Sequence, residues 1–443
     1  MTASLMEGWN AALKARRLVC IGVGRVRSGM SRDATLAGVA RRGLPCKVLN
    51  SLRLDMSTRL HTLHAAGQSL WLDYIDRTML SNGDLARRIS EDALTGMTSN
   101  PTIFEKALAE GVAYDAQVAS LPTAFSDRDV FEAVASTDVR DACDRFRSVY
   151  DATHAVDGYV SLEVSPELAR DADGTVAEAI KLWALVDRPN LMIKVPGTPE
   201  GANAVRRLIA AGINVNVTLL FAIDAHARVI DAYVGGLEDR AAAGHAIDRI
   251  ASVASFFVSR VDSAIDKKLD TMAAADAANA DALRALKGKA AIANAKLAYR
   301  LFTQSFAGSR WATLSAQGAR VQRPLWASTS TKSAAYRDVI YVEELVGTDT
   351  VNTLPPATLE AFRDHGETLP QSVASDLDGA TRTLAALEAF GISLAAVTDT
   401  LLAEGVASFE QSFVTLLAGI ARKRAALTEP ASPASGVTAV VSH

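Results

Sequence analysis

From about residue 69 the chain alternates short β-rich runs with longer stretches of helix-forming residues. The runs are SLWLDY (69–74), LTGMTSN (94–100), GYVSLEVS (158–165), NLMIKV (190–195), INVNVTLLF (213–221), ASVASFFVSRV (251–261), PLWASTS (324–330) and DTVNTLP (349–355). Strands separated by helices predict parallel pairing through βαβ units, and eight of them match an α/β fold of the (β/α)8 barrel kind. An Ala-rich stretch over 265–320 predicts one or two extended helices, a long helical insertion between the sixth and seventh strands. These elements define a barrel over residues 56–427.

The strands of a parallel barrel are ordinarily apolar on both faces, whereas several of these runs carry polar groups at every second position. In the third run Val160, Leu162 and Val164 alternate with Ser161, Glu163 and Ser165. Leu191, Ile193 and Val195 alternate with Met192 and Lys194, and Val215, Val217 and Leu219 with Asn214, Asn216 and Thr218. Asp73 shares a face with Trp71, while Leu70, Leu72 and Tyr74 take the other. The apolar set must meet the helices, so Glu163, Lys194, Asn216 and Thr218 point into the barrel. A lysine and two carboxylates on inward faces are costly to bury unpaired, and they fall toward the C-terminal strand ends where barrel active sites form. A structural ion-pair network is the bland alternative, but it needs no surrounding ring of amides and hydroxyls.

Charge divides the chain. Residues 1–55 hold ten Lys/Arg against three acids, while the whole chain has a net charge of −4, so the remainder is acidic. An acidic body excludes nucleic-acid binding as the main business. The basic segment reads as an N-terminal extension, either a transit peptide or an upstream extension of the reading frame ahead of Met56. Its GVGRVR piece (22–27) lacks the third glycine of a dinucleotide loop. Residues 428–443 are Ser/Pro/Ala-rich and read as a disordered tail. No apolar run approaches the roughly 18 residues of a membrane span. Three scattered cysteines and no ligand cluster around His61 and His64 suggest a reducing, cytoplasmic setting, with no metal and no cofactor.

At these residues the sequence resembles the transaldolase family in its longer bacterial form. The motifs are Gly96-Met97-Thr98-Ser99-Asn100-Pro101, Ile193-Lys194-Val195-Pro196, the fifth run from Gly212 to Phe221, the sixth from Ser252 to Asp262, and WASTSTK (326–332) with TVNTLPP (350–356). They occur in order, over about residues 56–425. The resemblance implies a TIM barrel of the class I aldolase type. Its activity would be transfer of a dihydroxyacetone unit from sedoheptulose 7-phosphate or fructose 6-phosphate to an aldose phosphate, in the non-oxidative pentose phosphate pathway. It implies Lys194 as the imine-forming nucleophile and Asp73 as general base and acid on the hydroxyl whose deprotonation breaks the carbon–carbon bond. Glu163 and Thr218 would hold a proton-shuttling water. Thr98, Asn100, Asn216, Ser255 and Arg260 would bind substrate. Where shorter relatives place a phosphate-binding arginine this chain has Ser330-Thr331-Lys332, so Lys332 would substitute without arginine's bidentate fork. The partners implied are sugar phosphates, for a monomer or homodimer without membrane or nucleic acid.

The chemistry accounts for these residue types. An amine attacks a ketone only when neutral, a form that desolvation of a lysine favours, and the protonated imine then acts as an electron sink. A carboxylate within reach takes the hydroxyl proton. Two carboxylates on different strands allow two roles. Some assignments have plainer alternatives: Asn100 before Pro101 as a turn residue, Arg260 beside Asp262 as a surface ion pair, Lys332 as a loop charge. Two rival functions stand beside transfer. One is a Schiff-base lyase releasing free dihydroxyacetone, against which Glu163 speaks, since the related aldolases position the water with a tyrosine. The other is a non-catalytic sugar-phosphate binder, against which the pairing of Lys194 with Asp73 speaks.

Overall fold

A computed structural model of the protein describes residues 58–110 and 112–428. The basic N-terminal extension (1–55) and the tail beyond Thr428 lie outside the described residues. The described residues form a closed parallel barrel of β1 (Gln68–Asp73), β2 (Leu94–Thr98), β3 (Tyr159–Glu163), β4 (Leu191–Pro196), β5 (Val215–Leu220), β6 (Ser252–Phe257), β7 (Arg323–Ala327) and β8 (Thr350–Leu354). Each pairs with the next in chain order, and β8 closes on β1. Each apolar run of the sequence therefore holds one strand. The sixth overreaches, because Ser259 already opens the helix Ser259–Ala275.

Local chemistry fixes the connections. Thr198 caps the helix Pro199–Ala211 by accepting from the Gly201 amide at 2.9 Å, with Pro199 in the first turn where its missing N–H costs nothing. Ser126 and Asp129 form a reciprocal capping box on the helix Asp127–Ala152. The Ala-rich stretch is cut into more pieces than its composition predicts. Helices Ser259–Ala275, Ala280–Arg284, Ala290–Ser305 and Ser309–Ser315 lie between β6 and β7. Asp276 ends the first by accepting from the amides of Ala278 and Asn279, and Gly288 at φ 70° separates the second and third. Alanine's helix preference is weak beside these turn signals.

The outward residues Leu70, Leu72, Val160, Leu162, Ile193, Val195, Val215 and Val217 are buried in the core between barrel and helices. Inside, Trp71 lies across β2. A Cβ at Gly96 would come within 2.5 Å of its indole nitrogen, so position 96 must stay bare. Alternation fails near the end of β5. Leu219 adopts φ 59°, and the β5–β6 register shifts between Val217 and Leu220. A branched residue in this region costs about 1–2 kcal/mol. Leu219 instead meets the long C-terminal helix Leu394–Thr428 at Gly405, where a Cβ would approach it to 3.0 Å. That helix crosses the C-terminal mouth of the barrel and packs on the helix Pro101–Glu110, with Ser412 bonded to Thr102 at 2.8 Å.

One buried group makes stability depend on pH. His226, on the helix Ile223–Ala242, is fully buried beside Phe256, with neither ring nitrogen bonded among the described residues. Burial pushes its pKa down to about 4. An unfolded histidine titrates near 6.5, so stability from the neutral ring is present above that pH and is lost as pH falls towards 4. The contribution is about 3 kcal/mol at most. In chemical unfolding, the stability of the wild type relative to His226→Phe should therefore fall by up to that amount between pH 7 and pH 4. A difference independent of pH would show that His226 is not held neutral.

Candidate active site

The strand register brings the inward polar residues together. Glu163 pairs in register with Lys194 across β3 and β4, and Lys194 with Asn216 across β4 and β5. Lys194 is 5% exposed, Glu163 6%, and Asn216 and Thr218 fully buried. The Lys194 ammonium lies 3.4 Å from Glu163 Oε2 and donates to the Ser99 carbonyl at 3.2 Å. Phe409, from the helix over the barrel mouth, places its ring centroid 5.9 Å from the lysine Nζ. On the far side, Thr98 Oγ1 donates to Asp73 Oδ1 at 2.8 Å and is 2.8 Å from the Thr353 hydroxyl. Thr98 has one proton to give, so Thr353 donates to it. Asn216 is fixed at both ends. Its Nδ2 donates to Ser161 Oγ at 3.0 Å, and its Oδ1 accepts from Ser255 at 2.7 Å.

Burial dominates the electrostatics. Desolvation raises the pKa of Glu163 above the usual carboxylate range; Lys194 opposes this and Asp73 adds to it. Asp73 is likewise raised by desolvation, against the pull of Lys194, the Thr98 hydroxyl and Arg260. Burial lowers Arg260, opposed by Asp73 and Glu404. One lysine, two proton-hungry carboxylates and a half-buried arginine thus share one chamber. Apart from the 3.4 Å ion pair of Glu163 with Lys194, neither Glu163 oxygen nor the Thr218 hydroxyl has a hydrogen-bond partner among the described residues. These are the groups an amine nucleophile needs to exchange protons with a bound carbonyl compound.

Residues 70–420 match the family described as Transaldolase/Fructose-6-phosphate aldolase. The chain belongs to that family. Curated proteins named transaldolase are similar throughout this region. One from Frankia alni is 48% identical over 369 residues, covering 83% of this chain and 98% of the relative. Others from Mycolicibacterium smegmatis and Thermobifida fusca are also 48% identical, over 82% and 84% of this chain and 97% and 100% of theirs.

Against the family pattern, the barrel mouth collects Asp73, Thr98, Glu163, Lys194, Asn216, Thr218, Ser255 and Arg260, while two residues fall differently. Asn100 spends its side-chain oxygen on the Ile103 amide at 3.0 Å, holding the start of the helix Pro101–Glu110. The turn reading is thus realised through the side-chain oxygen of Asn100. Lys332 is exposed, bonds Ser330 at 2.9 Å, and lines a different cavity with Asp266, Lys267 and Lys287. Arg260 does not pair with Asp262. That carboxylate accepts from Tyr341 and the Ala291 amide, both at 2.8 Å, and Arg260 instead stacks over Phe257 at 5.3 Å. Thr353 and Phe409 join the site without a sign in the sequence pattern that singles them out. Thr353 stands on the inward face of β8, whereas Phe409 lies more than two hundred residues beyond Lys194 on a helix that carries no local sign of its position.

Proposed function

We propose that the chain acts as a transaldolase in which Lys194 forms an imine with a ketose phosphate and passes its dihydroxyacetone unit to an aldose phosphate. The observation that supports this most is the buried juxtaposition of Lys194 with Glu163, one carboxylate beside the amine and a second, Asp73, across the chamber. Glu163, 3.4 Å from the lysine nitrogen, is the carboxylate placed to accept the proton that the amine gives up as it attacks the ketone. The carboxylate and the Thr218 hydroxyl are free to hold the water that imine formation releases and hydrolysis consumes. Asp73, oriented by Thr98, takes the proton of the hydroxyl whose loss breaks the carbon–carbon bond and returns it when the acceptor adds. Asn216 and the Asn100 amide nitrogen supply hydrogen bonds for the dihydroxyacetone hydroxyls. Arg260, close to Gly405, is the cation suited to the phosphate, and Ser255, bonded to Asn216, is a further hydroxyl for the substrate.

Transfer requires that the enamine outlive the wait for an acceptor, so water at Glu163 must protonate it slowly. With fructose 6-phosphate and erythrose 4-phosphate together, transfer should exceed release of free dihydroxyacetone. Glu163→Tyr should reverse that ratio, because a phenol with pKa about 10 donates a proton where the carboxylate accepts one. Both products are measured from one reaction. If the wild type released dihydroxyacetone faster than it transferred it, the enzyme would be a lyase. An unchanged ratio in the variant would remove Glu163 from control of the water.

A further inference from the structure

A second cavity, of about 220 Å³, opens at the N-terminal end of the barrel. Its inner walls include Trp71, Tyr159, Met192 and Val253, each no more than 1% exposed. Arg320 and Arg323 also line it. Arg320 donates through Nε to the Asp248 carbonyl at 3.0 Å and through Nη2 to that of His154. Its Nη1 is buried without a partner, and among the described residues no carboxylate pairs with it. Arg323, 8% exposed, has a buried Nε that is likewise unbonded. Its neighbour Asp157 lies 3.7 Å from Nη1 but has both oxygens engaged, by the Trp71 indole and the Ser69 hydroxyl. Asp349 stands exposed at the rim.

Unpartnered guanidinium N–H groups in a mostly apolar chamber are costly to bury, and an oxyanion that accepts from them recovers that cost. We propose that this basal cavity binds a small monocarboxylate carried on an apolar body of about one ring. Size fits, since an apolar cavity of about 150 Å³ already admits benzene. Charge favours a single negative group, because Arg320 lacks a countercharge while Asp157 and Asp349 would repel a dianion. Indole and phenol walls suit the apolar body. Trp71, Met192 and Val253 each precede by two residues, on the same strand face, Asp73, Lys194 and Ser255. The ligand therefore sits one side-chain layer beneath the reaction chamber and shares no lining residue with it. This inference does not rest on the proposed activity.

The test is titration of the full chain with benzoate, following the Met192 methyl by NMR and assigning its signal with Met192→Leu. A saturable shift of that signal is expected, undisplaced by fructose 6-phosphate. Arg320→Gln should weaken binding about tenfold or more, as expected for loss of a charge-assisted hydrogen bond. Benzyl alcohol, the same ring without the charge, should bind the wild type at least about tenfold more weakly, a comparison that stands even if the variant fails to fold. Absence of a saturable shift, equal binding of benzyl alcohol, or displacement by fructose 6-phosphate would each overturn the proposal.

Discussion

Lys194→Ala should lower three-carbon transfer at least about 10⁴-fold, the scale on which loss of a covalent nucleophile is felt. Among the described residues no second amine acts on the chamber's carboxylates, Glu163 and Asp73, and the other cation there is Arg260. Folding should survive the change. The Glu163 carboxylate left behind already has a raised pKa and can take up a proton rather than remain as a buried unpaired charge. Lys194→Arg sharpens the result. It keeps a cation beside Glu163, yet a guanidinium is never neutral near pH 7 and cannot form an imine. Both variants should be inactive with near-native circular dichroism. Transfer in Lys194→Arg within about tenfold of wild type would mean that the lysine acts only through its charge.

The second large effect belongs to Asp73. Asp73→Asn keeps the shape and an oxygen for the Thr98 hydroxyl at 2.8 Å but removes the base. Turnover should drop at least about 10²-fold, the usual worth of general-base assistance. Imine formation at Lys194, which Asp73 does not drive, should persist. A pH profile adds a sign. Asp73 acts as base only when ionised, and burial raises its pKa, so the acid limb of turnover should lie above the range of a free aspartate and fall as pH drops through it. In Asp73→Asn that limb should vanish. If the folded variant instead lost imine formation, Asp73 would belong to the first half of the reaction.

The barrel was legible because its strands break the rule for parallel strands in a regular way. Polar residues at Ser161, Glu163, Lys194, Asn216 and Thr218 can recur at period two only if one face meets a polar interior, and the structure places them there. Strand ends were less legible. Val258–Val261 has strand composition, yet the chain turns into a helix at Ser259. Composition also failed to count the helices between β6 and β7, since a few turn residues outweigh alanine's small preference. Contacts made across long chain separations left no local trace. Leu219 accepts a left-handed backbone because a helix arriving from Gly405 packs on it, and Asp262 turned from Arg260 to Tyr341 and the Ala291 amide. Lys332 likewise owes its surroundings to the folded loop, where it bonds Ser330 and lines a cavity with Asp266 and Lys287.

The most direct measurement is borohydride reduction of the protein in the presence of fructose 6-phosphate, followed by peptide mass spectrometry. Reduction should inactivate the enzyme and add one dihydroxyacetone or hexose phosphate unit to the peptide containing Leu191-Met192-Ile193-Lys194-Val195-Pro196, on the Lys194 side chain. An adduct on any other lysine, or full activity after reduction with no adduct, would contradict an imine at Lys194.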